Sequence, residues 1–251
     1  MVQHTKHQSI KMKNNIVCLY WGQKYKWEYV QVLYNMTQRH LTIPHNFIIY
    51  TEHTKMPKLV KGDNVIVRKL PFHDYEHWWN KLTLFSPEAN LEGDCLYFDL
   101  DVVILENIDC FFTHAEDKKV VLMRDFNRST KGFNSSIMRF NNEVMTPNVW
   151  KPFLKERKTL QRLQGDQNVI SQLIKQTPDK FDCFPDEWTF SAKWYDRDNP
   201  RFQRSRFTFE RYPGAKVAVF HGKPDPNQLA NPHPHESYDP KSIEWVKNHW
   251  K

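Results

Sequence analysis

The chain has 251 residues, 39% hydrophobic and 14% aromatic, enough to fill one large core and too apolar for a disordered chain. Seven glycines against 15 prolines and 9 tryptophans exclude linker or low-complexity character, and no apolar run approaches the ~20 residues of a membrane-spanning helix. A net charge of +7 favours anionic partners, and by itself serves nucleic acid, a phosphorylated small molecule or an acidic lipid surface equally well.

In chain order, residues 1–15 are basic and polar without the apolar centre of a secretory signal, and read as a flexible tail. Short β-rich segments follow at Ile16–Tyr20, Phe47–Thr51, Val65–Lys69, Cys95–Leu100, Val120–Arg124, Ile137–Phe140 and Val217–Phe220. Helical spacing lies between them. Val30, Leu33, Tyr34 and Thr37 form one stripe over Glu28–Arg39, and Val169, Ile170, Leu173 and Ile174 form another over Asp166–Gln176, with Pro178 beyond. Asp239 is placed to cap a last helix opening at Pro240. Strands alternating with helices predict an α/β fold with a mostly parallel central sheet flanked by helices. The expected domain is a single one over 16–251, with 225–251 as a C-terminal loop and helix. The proline-rich stretch from Asp225 to Pro240 reads as extended loop. Cys18, Cys95, Cys110 and Cys183 form no Cys-x-x-Cys pair, which leaves a reduced, cytoplasmic setting as the expectation.

Asp99-Leu100-Asp101 closes the apolar run Cys95–Phe98 and precedes Val102–Leu105. Residues two apart in an extended chain share a side, so both acids converge on one point at the strand's end. Two anions held that close call for a cation or a shared proton, and a divalent ion with oxygen ligands is the simplest partner. A solvated acidic turn has the same sequence. Val217–Phe220 delivers His221, Gly222, Lys223 and Pro224, which suits a metal-binding imidazole beside a phosphate contact, or an ordinary turn. Gly165-Asp166-Gln167 opens a helix and suits a cap or a polar ligand. Phe133-Asn134-Ser135-Ser136 reads as a polar loop ahead of a strand. Arg201–Arg211 interleaves arginines with phenylalanines, the pattern of an edge strand or of a base-stacking surface. His233-Pro234-His235 reads as a metal candidate or, with its intervening proline in a loop, as exposed turn histidines. Trp188, Phe190, Trp194 and Tyr195 suit a core or a sugar-stacking surface.

Taken in order, these pieces resemble the retaining glycosyltransferases of family 8, the glycogenin and galactosyltransferase relatives with a GT-A-type fold. The match runs roughly from Ile16 to Pro224, through Lys81-Leu82, Tyr97–Val102, Asn107–Phe112, Phe133–Ser135, Gly165–Gln167 and His221–Pro224. The resemblance implies a metal-dependent transfer of a sugar from a nucleotide-sugar, expected to be a UDP-sugar, to an acceptor that is a glycan, a protein or a small molecule. It implies Asp99, Asp101 and His221 as ligands of Mn²⁺ or Mg²⁺, with mixed imidazole and carboxylate ligation favouring manganese. Asn134, Asp166, Gln167 and Lys81 are implied at the donor sugar. Tyr20, Trp21 and Gly22, with Leu100, Gly222 and Lys223, are implied at the nucleotide and its phosphates. Two departures stand out. The family spaces its closing motif as His-x-x-Gly-x-x-Lys-Pro where this chain has His221-Gly222-Lys223-Pro224, and its Asn-x-Gly is here Asn134-Ser135-Ser136.

Two other readings share these residues. Phe98–Val103 also fits the Asp-x-Asp-x-Val strand of haloacid-dehalogenase-type phosphatases, with Asp99 as nucleophile. That motif normally opens its domain, whereas a β/α unit precedes it here, and Ile170 stands where a later acid is wanted. A nucleic-acid-binding module using Arg201–Arg211 explains the charge but leaves the aspartate pair repelling phosphates.

Overall fold

The computed structural model describes residues 13–53, 60–192, 211–236 and 238–251. The first twelve residues, nearly all of the Arg/Phe stretch at 201–211, and Trp194 and Tyr195 lie outside the described residues. Strands are β1 (Asn14–Tyr20), β2 (His45–Thr51), β3 (Val65–Lys69), β4 (Asp94–Phe98), β5 (Val102–Ile104), β6 (Val120–Arg124), β7 (Phe133–Phe140), β8 (Phe181–Cys183), β9 (Thr189–Ser191) and β10 (Val217–Val219). The helices that shape the site are α1 (Trp27–His40), α2 (Asn80–Thr83), α3 (Asp166–Ile174), α4 (Pro226–Ala230) and α5 (Pro240–His249).

A seven-stranded sheet runs in the order β3-β2-β1-β4-β7-β6-β8, with β7 antiparallel to both of its neighbours and every other pair parallel. Alternation divides each strand between two cores. Ile16, Cys18, Leu96 and Phe98 join α1 and α5 in one, whereas Val17, Leu19, Cys95 and Tyr97 join Leu82, Phe85 and the apolar stripe of α3 in the other. Because both faces are covered, the central strands read as continuous apolar runs. The expected α/β architecture is therefore present.

The sheet order reverses at β1. The chain winds from β1 to β2 and β3 on one side, then returns to lay β4 on the other, and ligands in such sheets bind beyond the carboxyl ends at that reversal. A second sheet, β5-β10-β9, carries distant sequence to the same place. β10 pairs antiparallel with β5 so that Val219 faces Val102, and the next residue, Phe220, donates its N–H to the Asp101 carbonyl at 3.1 Å. His221 is thereby brought beside the aspartates despite its remote position in the chain.

Three local expectations change. Asn134-Ser135-Ser136 lies inside β7, not ahead of it, where a bulge shifts the register between Leu122 and Met123. Asp99–Asp101 forms a turn between β4 and β5 rather than an extension of β4. The proline-rich stretch contains α4, because Asp225 caps it, Pro226 suits its first position, and the Asp225 N–H donates to Gln228 Oε1 at 3.1 Å. His233 and His235 are exposed, as expected, and Phe184 and Phe190 belong to the core with Trp188 packed against it.

Candidate active site

A cleft of about 650 Å³ opens at the sheet reversal. Its floor is built around Lys81, which α2 holds almost completely buried. The ammonium lies 3.0 Å from Asp99 Oδ1 and 3.2 Å from Asp166 Oδ2, and donates to Ser135 Oγ at 3.0 Å. Ser135 in turn donates to Asp166 Oδ2 at 2.7 Å, and the Tyr97 hydroxyl donates to Asp99 Oδ1 at 2.6 Å. Burial works against the Asp99 carboxylate, but Lys81 and the hydrogen bonds from Tyr97 and Ser136 more than offset it and hold its pKa below the usual range. Burial likewise opposes the Lys81 charge, and Asp166 with Asp99 overcomes it, so the lysine pKa is raised. The bulge in β7 and the first turn of α3 are what bring Ser135 and Asp166 to this lysine.

The other wall is different. Asp101 Oδ2 accepts from the Tyr25 hydroxyl at 2.6 Å, and the Lys24 ammonium stands 3.9 Å away with its side chain largely in solvent. Burial, then the charge of Asp99, push the Asp101 pKa up to about 6. The cleft thus holds three carboxylates, Asp99, Asp101 and Asp166, against the buried ammonium of Lys81 and the exposed one of Lys24, and the surplus is negative. Among the described residues no three His, Cys, Asp or Glu side chains stand close enough together to form a metal-holding group. The reason is visible in the partners: Asp99 is drawn to Lys81 and Tyr97, Asp101 to Tyr25. The donor chemistry nonetheless fits a divalent cation. Two carboxylates and the His221 imidazole line the same cleft, and the uncompensated negative charge is what such an ion neutralises.

No protein-family model and no curated protein matches this chain. Solved structures do. The glycosyltransferase GlyE of Streptococcus pneumoniae TIGR4 superposes with a TM-score of 0.66 at 15% identity, covering 94% of this chain and 60% of GlyE. Galactosyltransferase LgtC, in complex with donor and acceptor sugar analogs, gives 0.61 at 12% identity over 94% of this chain and 96% of LgtC. Mouse xyloside xylosyltransferase 1 gives 0.57 at 14% identity over 83% of this chain and 97% of that one. The fold is GT-A. At these identities the likeness is one of architecture, and this chain spans only about three-fifths of the GlyE chain.

Within this GT-A cleft the structure gathers Asp99, Leu100, Asp101, His221, Lys81, Asn134, Asp166, Gln167, Trp21 and Gly22. It does not bring in Tyr20, Gly222 or Lys223. Tyr20 packs its ring against Trp27 and His53. Gly222 takes φ +75° immediately after His221, a left-handed turn that suits glycine, and Lys223 then pairs at 2.5 Å with Asp225, itself held by the Tyr29 hydroxyl at 2.7 Å. Sequence reading passed over Lys24, Tyr25, His77 and Trp78, all of which line the cleft. The first two follow β1, where the reversal rule itself points, and the last two stand shortly before Lys81.

Proposed function

We propose that this chain is a family 8-type retaining glycosyltransferase, transferring a sugar from a UDP-sugar to an acceptor hydroxyl with Mn²⁺ or Mg²⁺ bound by Asp99, Asp101 and His221. The observation that carries the reading is the convergence of a carboxylate-rich wall and the Lys81–Asp99–Asp166 network in one cleft at the sheet reversal. The bound ion would act as a Lewis acid toward the leaving diphosphate. Lys81, fixed by three oxygen-bearing residues, holds Asp99 and Asp166 in place at the floor of the cleft. Asn134 and Gln167 line the cleft beside it as hydrogen-bonding groups for sugar hydroxyls. Lys24 adds an exposed cation at the phosphate side. The phosphatase reading gains no support, because β1, α1 and two further strands precede β4 and its Asp-x-Asp turn, and Ile170, buried in α3, stands where a later acid is wanted.

We further propose a single catalytic domain over 16–251 in a reducing, cytoplasmic setting. All four cysteines are free thiols, and burial pushes the Cys95 thiol up to about 12. The test is turnover of a panel of nucleotide-sugars with and without Mn²⁺. Asp101→Asn is expected to fold and to lose about 100-fold or more in kcat, the several kcal/mol typical of a metal-ion role. Full activity of that variant, or of wild type in EDTA, would overturn the metal assignment. The anomeric configuration of the product, read by NMR, tests retention.

A further inference from the structure

We propose that Trp78 is the platform of an acceptor subsite and that the acceptor presents a pyranose ring, a glycoside rather than a protein hydroxyl; this rests on the transferase reading above. Trp78 lines the cleft yet is 48% exposed, while its neighbour Trp79 is stacked on Phe153 with ring centroids 6.2 Å apart. A large apolar ring left open inside a concave site is a contact surface in need of a partner. The residue before it, His77, takes φ +52°, a left-handed backbone unusual for a residue carrying a side chain and a form of strain found at ligand sites.

Position assigns this ring to the reacting end. Trp78 precedes Lys81 by three residues, and a side-chain carbon at Gly165 would stand 3.5 Å from Trp78 Nε1, so the indole edge lies against the residue before Asp166. Trp21 meets His77 edge-on at 5.8 Å and closes the wall toward the β1 loop. A pyranose offers one face of C–H groups to an indole while its rim of hydroxyls stays turned to the polar interior of the cleft. A serine or threonine acceptor offers no ring to cover the indole.

The test measures acceptor and donor KM separately, with methyl glycosides as acceptors and glycerol and a serine peptide as ring-free controls. Trp78→Ala is expected to raise the methyl glycoside KM roughly tenfold, equivalent to ~1.4 kcal/mol, with donor KM within about twofold. Trp78→Tyr keeps a ring and is expected to stay within about threefold of wild type. An unchanged glycoside KM in Trp78→Ala, a rise in donor KM in its place, or equal use of the ring-free acceptors would each overturn the proposal. Quenching of tryptophan fluorescence by methyl glycosides, lost in Trp78→Tyr, provides a readout without turnover. If no nucleotide-sugar is turned over but that quenching is seen, the transferase reading fails and the sugar subsite stands. Turnover without the quenching sinks the subsite alone.

Discussion

The two aspartates of Asp99-Leu100-Asp101 are two residues apart and live under opposite electrostatic rules. Each accepts a tyrosine hydroxyl at 2.6 Å, Asp99 from Tyr97 and Asp101 from Tyr25. The difference is the cation beside each. Asp99 has a buried ammonium at 3.0 Å, whereas Asp101 has an exposed one at 3.9 Å. Burial penalises both charges, and only the first is compensated, so the Asp99 pKa falls while that of Asp101 rises to about 6. One half of the cleft is thus complete as it stands, and the other holds an anion that gains from a further cation. A rigid half that orients and an under-compensated half that binds is a division of labour suited to a metal-assisted transfer.

The largest effect expected from breaking this contrast is at Lys81. Replacing it with methionine leaves Asp99 and Asp166 buried without their cation, a change that costs about 3–5 kcal/mol when one partner of a buried ion pair is removed. Urea unfolding measures it. The double variant with Asp166→Asn, which removes one of the stranded charges, is expected to recover a large part of the loss. Equal stability of wild type and Lys81→Met would show that the compensated half is not held together by this ammonium.

Asp101→Asn probes the other half in metal-free buffer, and the sign is opposite. A carboxyl whose folded pKa lies above its unfolded value of ~3.9 retains a proton that the unfolded chain releases. Its stabilising contribution is full below about pH 4 and is lost as pH rises through 6. In EDTA, Asp101→Asn is therefore expected to match wild type near pH 4 and to exceed it well above pH 6 by roughly 3 kcal/mol, since each tenfold change in proton affinity on folding is worth ~1.4 kcal/mol. Melting curves across this range check it. A variant less stable than wild type at pH 7 would mean that Tyr25 and Lys24 already satisfy the carboxylate.

Much of this cleft was legible in the chain because its pieces sit at ends of strands whose apolar runs are unmistakable. Asp99 and Asp101 follow β4, Trp21 and Gly22 follow β1, and His221 follows β10, so locating the strands located the residues. β5, β8 and β9 were not legible as strands, having three residues each, too few to establish a period, whereas the equally short β10 stood out through the apolar run Val217–Phe220 ending before Gly222 and Pro224. Asn134 to Ser136 escaped assignment as strand because a bulge, set by pairing with β6, overrides the turn preference of polar residues. Lys223 shows the limit of carrying a role by motif. Its position beside Asp225 follows from a loop length and a helix cap, and neither is a property of the lysine. The Tyr25 and Trp78 contacts depend on tertiary approach between segments far apart in sequence, which local pattern does not encode.

The smallest expected effects come from the matched tyrosines, and they sharpen the comparison most directly because the two hydrogen bonds have the same length. Tyr97→Phe removes a donor from a carboxylate that stays ionised, and Tyr97 is itself buried, so no water replaces the lost hydroxyl readily. Hydrogen bonds to charged groups contribute about 1.5–3 kcal/mol, and a loss near 2 kcal/mol is expected at pH 7. Tyr25→Phe removes the equivalent donor from Asp101. That carboxyl has a second way to respond, since a proton relieves it at modest cost when its pKa already stands near 6. The expected loss at pH 7 is about 1 kcal/mol or less, shrinking further toward pH 5 as Asp101 becomes protonated. Chemical unfolding of both variants at the two pH values measures the pair. Equal losses that do not change with pH would mean that the aspartates share one environment, and the contrast between the two halves of the cleft would disappear.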